Sequence, residues 1–210
     1  VRFYSRTPWI WYSTKLEVRQ DIAARALRNG EIVLRRKLVD EFSTLARFPA
    51  SQPRPANVNE IVEGTLSMFN GRLDTIHVET HLAPDLPRVM ADPAAMKRAF
   101  ANLVDNAAES VQESLVREVH ISTSLLNSRD AVEIVVADTG HGISREVKEK
   151  LFLPYFSTKR RGTGLGLAIV SRIVEDHQGS IRVEENSPMG TRFIVELPLA
   201  DKESPVERVH

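Results

Sequence analysis

Asn102, Asn106 and Glu109 stand at i, i+4 and i+7, a spacing that sets all three on one face of a helix. Met96, Phe100, Leu103, Ala107 and Val111 fall on roughly the opposite face and would form its core side. Two asparagines one turn apart offer neutral carbonyl oxygens, which suit a hard cation that also keeps waters and phosphate oxygens. Further on, Asp138 is followed by Thr139, Gly140, His141, Gly142 and Ile143. A carboxylate at a strand end can accept a hydrogen bond from an exocyclic amine such as that of adenine, and the glycines let the backbone approach a flat ring. Phe152, Pro154, Tyr155 and Phe156 then lead into Lys159, Arg160 and Arg161, an anchored segment whose basic end could face phosphates. Gly162, Thr163, Gly164, Leu165 and Gly166 run straight into an apolar helix of Leu167, Ile169, Val170, Ile173 and Val174. Glycine amides feeding a helix N-terminus make a phosphate site by geometry and dipole.

Singly, each stretch also has an ordinary reading. An asparagine can be a solvated polar residue, Asp-Xaa-Gly-Xaa-Gly can be a plain turn, and aromatics around a proline can be a hydrophobic staple ending in a solvated basic loop. A glycine-rich helix start can be purely structural. The last stretch is neither a dinucleotide fingerprint, for no strand immediately precedes it, nor a Walker A loop, for no Gly-Lys-Ser/Thr follows. What chance does not supply is all four, in this order, between residues 102 and 166.

The elements that must position these groups alternate in type. Val58 to Phe69 reads as a helix, Ile76 to Leu82 as a strand, and Val89-Met90-Ala91 as a short strand. Asp92-Pro93 supplies an N-cap and a first-turn proline for a long helix. Val119 to Leu125 and Val132 to Ala137 are β-branched, alternating and read as adjacent strands. A short helix and the helix ending near His177 follow, then a hairpin of Ser180 to Glu184 and Arg192 to Leu197. The mixture predicts an α+β fold: a two-layer sandwich, one sheet with helices on one face, over residues 57–200. Residues 51–56, with Pro53 and Pro55, read as a stiff polar linker. Residues 1–50 read as helical: Leu27, Leu34, Leu38, Phe42 and Leu45 make one apolar stripe broken at Asn29-Gly30. They carry ten Lys/Arg against five Asp/Glu. Trp9, Trp11 and Tyr12 read as packing within that part, and residues 201–210 as a disordered tail.

Composition narrows the function classes. Of 210 residues, 28 are basic and 28 acidic, for a net charge of zero, so no bulk electrostatics point to nucleic acid or anionic lipid. Cysteine is absent, which excludes disulfides and thiolate chemistry and is compatible with a cytoplasmic setting. No apolar run approaches the roughly 20 residues needed to span a bilayer; membrane attachment would have to come through segments outside this chain.

The four stretches resemble the Asn box, first Gly box, Phe box and second Gly box of the histidine kinase catalytic domain. That domain belongs, with the gyrase, heat-shock chaperone and MutL-type ATPases, to the Bergerat-fold superfamily, and the resemblance covers roughly residues 55–200. It implies ATP and Mg²⁺ as ligands. Asn102 and Asn106 would lie beside Mg²⁺ and the phosphates, with Asn106 the surer metal ligand. Asp138 would recognise the adenine amino group, with Gly140, Gly142 and Ile143 shaping the base pocket. Phe156, Gly162, Thr163, Gly164, Leu165 and Gly166 would belong to the lid and its hinge. Lys159 and Arg161 would reach the phosphates, and Thr191 matches a threonine that approaches adenine through water. In gyrase- and MutL-type relatives a Glu at position 102 acts as general base for water. Asn102 cannot accept a proton near neutral pH, which favours transfer to a protein nucleophile over hydrolysis. The resemblance therefore implies an ATP-dependent protein histidine kinase, a homodimer through its N-terminal helices, and a response regulator receiver domain as partner.

Leu38 to Pro49 is similar to the second dimerisation helix of kinases related to the nitrogen-regulation sensor NtrY. Two departures stand out. None of the six histidines is followed by Glu or Asp, as a phosphoacceptor box requires, so the expectation is that the acceptor lies just upstream of Thr7-Pro8. Glu109 stands where many kinases carry Lys or Arg, leaving phosphate charge to Mg²⁺, Lys159 and the lid. An ATP-binding sensor module without autokinase activity, and an ATP-hydrolysing conformational switch, are the competing expectations. His77, His81, His120 and His177 read as surface or strand residues, and His141 as lining the pocket edge.

Overall fold

The computed structural model describes residues 51–158 and 162–200. The expected helical hairpin over 1–50, the NtrY-like segment within it, Lys159, Arg160 and Arg161, and the tail over 201–210 lie outside the described residues.

Two units of secondary structure assemble the layers. Strands β2 (His77–Leu82), β4 (Glu118–Leu126), β5 (Ala131–Asp138), β6 (Ser180–Glu185) and β7 (Thr191–Pro198) form a sheet ordered β2-β4-β5-β7-β6. The β2–β4 pair is parallel and the others antiparallel. A separate two-stranded ribbon joins β1 (Arg54–Ala56) and β3 (Val89–Ala91). Helices α1 (Val58–Leu66), α2 (Pro93–Ser110) and α4 (Gly166–Asp176) cover the sheet, and α3 (Arg145–Lys148) is a single turn. This is the α+β sandwich the sequence predicts.

The three long helices each bury a stripe at helical spacing. In α1 the buried residues are Val58, Ile61, Val62 and Thr65; in α2 they are Met96, Ala99, Phe100, Leu103, Val104, Ala107 and Ala108. Val62, Phe100 and Val104 line one small cavity with Ile121, Ile134 and Val136 of the sheet. β5 lies at the sheet centre and is buried along most of its length, because strands flank it on both sides and α2 lies over it. Removing a side chain such as Leu103 from this layer costs about 2–5 kcal/mol, so α2 is held firmly, and its polar face with it.

Three boundaries differ from the sequence reading. Arg54–Ala56 is a strand where a linker is expected: with proline at 53 and 55, the amides of Arg54 and Ala56 are the ones left to pair, and the ribbon's edge tolerates Pro55. The first helix ends at Leu66 and tightens into a 3₁₀ turn over Ser67–Phe69. His177 is a surface or strand residue by sequence, yet here it is the C-cap of α4 and only 3% exposed. Its ring is covered by Asp92, 85 residues away in sequence, a contact that no local pattern announces.

Candidate nucleotide site

Asp138 closes β5 and is 2% exposed. Its Oδ1 accepts from the amides of Gly140 at 2.8 Å and Thr191 at 3.3 Å. Burial raises its carboxyl above the ordinary value, against the easing effect of the nearby Ser110 hydroxyl and those two amides. Among the described residues Oδ2 takes no hydrogen bond, so one oxygen is anchored and the other is left for a ligand. The strand's backbone is fixed as well. Asn186 Nδ2 donates to the Asp138 carbonyl at 2.9 Å, and Thr139 Oγ1 donates to Val116 O at 2.9 Å while accepting from the Glu118 amide at 3.0 Å. A carboxylate held this rigidly at a strand end can read an amine donor without reorganising.

Gly140 passes so close to the C-terminus of α2 that a Cβ there would lie 2.2 Å from Ser110 Oγ and 2.7 Å from Ser110 O. Ser110 Oγ is buried with no hydrogen-bond partner among the described residues, yet it lies near enough to Asp138 to ease its charge. An orphaned buried hydroxyl beside a half-used carboxylate fits a ligand that brings both donors and acceptors, as the edge of a purine does. The sequence reading missed Ser110, although 102, 106 and 110 continue the same i, i+4 face. Asn186 and Gly190 were missed too, because their part depends on the β6–β7 turn folding back on Asp138.

Asn102 and Asn106 lie half-buried on α2's polar face, with Glu109 exposed one turn beyond. Asn102 Nδ2 donates to Arg98 O at 2.9 Å, and its Oδ1 faces the start of α4, 2.9 Å from where a Cβ on Gly166 would lie. Among the described residues no group of three His, Cys, Asp or Glu could hold a metal ion. A cation here would therefore rest on asparagine carbonyls and on oxygens that the ligand brings, and that donor set fits Mg²⁺, which keeps waters and phosphate oxygens.

The two glycine segments complete the wall. Gly142 and Ile143 follow Asp138 in the loop to α3, half-buried, with His141 exposed. Phe156 is half-buried, and its amide donates to Leu153 O at 3.2 Å. Tyr155 N donates to Gly164 O at 2.8 Å, clipping the Phe segment to the second glycine segment. Gly164 has φ +69°, and a Cβ there would meet the Tyr155 and Phe156 backbones at 2.5–2.8 Å, so only glycine fits. Gly162 is exposed, Thr163 half-buried and Leu165 fully buried. Leu165 precedes α4 without capping it by a side chain; the first amides of α4 thus keep unspent donors, as an anion site requires. Gly166 begins α4 against Asn102, and Thr191 is buried beside Asp138. The structure thus brings Asp138, Gly140, Ser110 and Thr191 together, and sets Asn102 beside Gly166.

Comparison with known proteins places the family and the fold. Residues 91–201 match the family described as histidine kinase-, DNA gyrase B-, and HSP90-like ATPase. The C4-dicarboxylate transport sensor protein DctB of Rhizobium meliloti (strain 1021) is 35% identical over 191 residues, 89% of this chain and 29% of that protein. Full-length ShkA in complex with AMPPNP shares the fold with TM-score 0.69 and 26% identity, over 87% of this chain and 39% of that one. The histidine kinase ThkA in complex with the response regulator protein TrrA gives TM-score 0.68 and 28% identity, over 81% and 48%. The chain spans less than two fifths of the length of the curated relatives it matches.

Proposed function

The chain belongs to the histidine kinase-, DNA gyrase B-, and HSP90-like ATPase family and carries an ATP-binding domain of the histidine kinase type, and from that premise we propose that it binds Mg²⁺-ATP and passes the γ-phosphoryl group to a histidine of a dimerisation helix, for relay to a response regulator. The observation that carries the reading is the half-used, buried Asp138 carboxylate beside Gly140 and Ser110, one pocket away from Asn102 and the uncapped start of α4.

Asp138 Oδ2 accepts the adenine amino proton, and Ser110 and Thr191 line the same edge. Asn102 and Asn106 present carbonyl oxygens toward the phosphates, and Mg²⁺ bound there would neutralise charge developing on the transferred group. The amides from Gly164 to Gly166 hold the phosphate chain, and Lys159 and Arg161 add positive charge. No carboxylate stands at position 102 to activate water, so the site orients ATP for an incoming nucleophile and catalyses chiefly by positioning. Homodimerisation through residues 1–50, the receiver-domain partner and a cytoplasmic setting belong to this proposal. Among the described residues no helix is long and apolar enough to cross a membrane.

Radiolabelled ATP decides the reaction. Mixed with a protein that supplies a His-Glu-bearing dimerisation helix, the chain is expected to transfer label in an acid-labile, base-stable form. Alone it is expected to bind ATP and remain unlabelled, since none of its histidines sits in an acceptor box. Release of inorganic phosphate without labelling in the mixture would replace the kinase reading with the hydrolytic one; binding with neither transfer nor hydrolysis would favour a sensor module.

A further inference from the structure

His177 stands where two helices and the entry to the domain meet. Its Nδ1 lies 2.6 Å from Ile173 O, and a carbonyl oxygen can only accept, so Nδ1 carries the proton. Nε2 therefore accepts: from the Asp92 amide at 2.8 Å and, at 3.2 Å, from the Ser51 hydroxyl. The ring is the neutral Nδ1–H tautomer with both nitrogens in use. Asp92, in turn, is the N-cap of α2, where Oδ1 takes the Ala94 and Ala95 amides at 2.9 and 3.2 Å. Its other oxygen, Oδ2, accepts from the Gln52 amide at 3.1 Å. Two consecutive residues at the start of the domain thus grip the N-cap of α2 and the C-cap of α4 together.

The opposite end of the same helix pair is the phosphate edge of the site. α2 and α4 pack against each other, and a Cβ at Gly166 would lie 2.9 Å from Asn102 Oδ1. Asp92 and Asn102 are ten residues apart on α2, roughly 15 Å at the helical rise. A helix pair packed along its length and pinned at one end moves as a unit, because interdigitated side chains resist sliding. A displacement of Ser51-Gln52 is then felt where Asn102 meets Gly166.

We propose that His177 is a positioning residue: with Asp92 it couples the Ser51-Gln52 entry segment to the phosphate end of the nucleotide site, so that the chain preceding residue 51 can tune ATP binding without touching ATP. The site itself rests on the function proposed above; the mechanical coupling does not.

Hydrogen exchange on the full chain without nucleotide tests the coupling directly. Ser51→Ala removes one bond from a half-buried residue, and His177→Phe keeps ring volume while removing all three ring hydrogen bonds. Both variants are expected to speed exchange at residues 166–169, with β5 and β7 unchanged. Changes confined to residues 51–52, 92–95 and 173–177 would reduce His177 to a local cap and overturn the proposal. Should His177→Phe fail to fold, Ser51→Ala alone decides. Affinity supplies the second readout. AMPPNP binding to Ser51→Ala is expected to weaken by roughly two- to thirtyfold, the usual size of such coupling, with AMP affinity unchanged. Equal loss for both nucleotides would mean general loosening and refute the coupling. If the unaltered chain binds neither nucleotide, the functional reading falls, while the exchange result still decides the coupling.

Discussion

Asp138 keeps a carboxylate where burial raises its pKa above the ordinary value, so its ionised form costs the empty domain stability that a neutral residue would not. The sign follows: a raised folded-state pKa makes that cost largest at neutral pH and relieves it as pH falls and the group protonates. Asp138→Asn retains an oxygen to accept from Gly140 and Thr191 while removing the charge. It is expected to leave the nucleotide-free melting temperature equal or higher. Its ATP affinity is expected to fall about ten- to a hundredfold, the size of a lost charge-assisted hydrogen bond. Calorimetric titration beside a thermal melt checks both halves; a variant that loses stability but keeps ATP affinity would remove Asp138 from base recognition. Stabilisation by GTP equal to that by ATP would do the same, since a guanine presents a carbonyl where adenine presents an amine.

Among the elements, the segment from Tyr155 to Gly166 depends on one backbone crossing. Gly164 takes a left-handed conformation with the Tyr155 and Phe156 backbones against its Cα, and no flexible side chain can give way there. Gly164→Ala is expected to separate the Phe segment from the start of α4. The expected destabilisation is modest, about 1–3 kcal/mol, because the crossing lies at the edge of the core. The loss of ATP binding should exceed what that destabilisation explains. Measuring ATP affinity well below the variant's melting temperature separates the two; unimpaired binding there would exclude the crossing from the site. The polar α2 residues Asn102, Asn106, Glu109 and Ser110 are by contrast carried by a helix anchored at Asp92 and by its buried stripe, so single changes among them should leave the fold intact.

Over the whole molecule, acid stability is set by carboxylates with opposite shifts. Burial alone would raise Glu196, but hydrogen bonds from Arg129 and Arg182 overcome it and bring its pKa below the ordinary value of 4.5. Arg129 reaches both of its oxygens at 2.8–2.9 Å, and Arg182 also bonds Glu133. Asp92 is likewise lowered, its burial outweighed by the Gln52, Ala95 and Ala94 amides. A depressed carboxylate contributes stability that is present above its ordinary pKa and lost as pH falls through the folded value. Stability against denaturant is therefore expected to fall as pH drops below about 4.5, and Glu196→Gln to flatten that limb. An unchanged acid limb in the variant would mean the arginine pair contributes nothing net, its attraction offset by the cost of burying the carboxylate.

Helical spacing alone put Asn102, Asn106 and Glu109 on one face, because a 3.6-residue period and a buried apolar stripe leave a chain no other way to turn. Asp92-Pro93 marked the start of α2, and alternation marked β4, β5 and the closing hairpin, since these signals lie within a few residues of one another. The order of the four boxes pointed to the nucleotide and the sandwich together. Tertiary structure alone decided the rest. It buried Asp138 and spent one of its oxygens on Thr191, 53 residues away. It left Ser110 Oγ without a partner, turned Arg54–Ala56 into a strand by offering it Val89–Ala91, and made His177 a buried cap by bringing it to Asp92. Each of these depends on which distant backbone amide or edge arrives beside a group, and a local pattern carries no record of that.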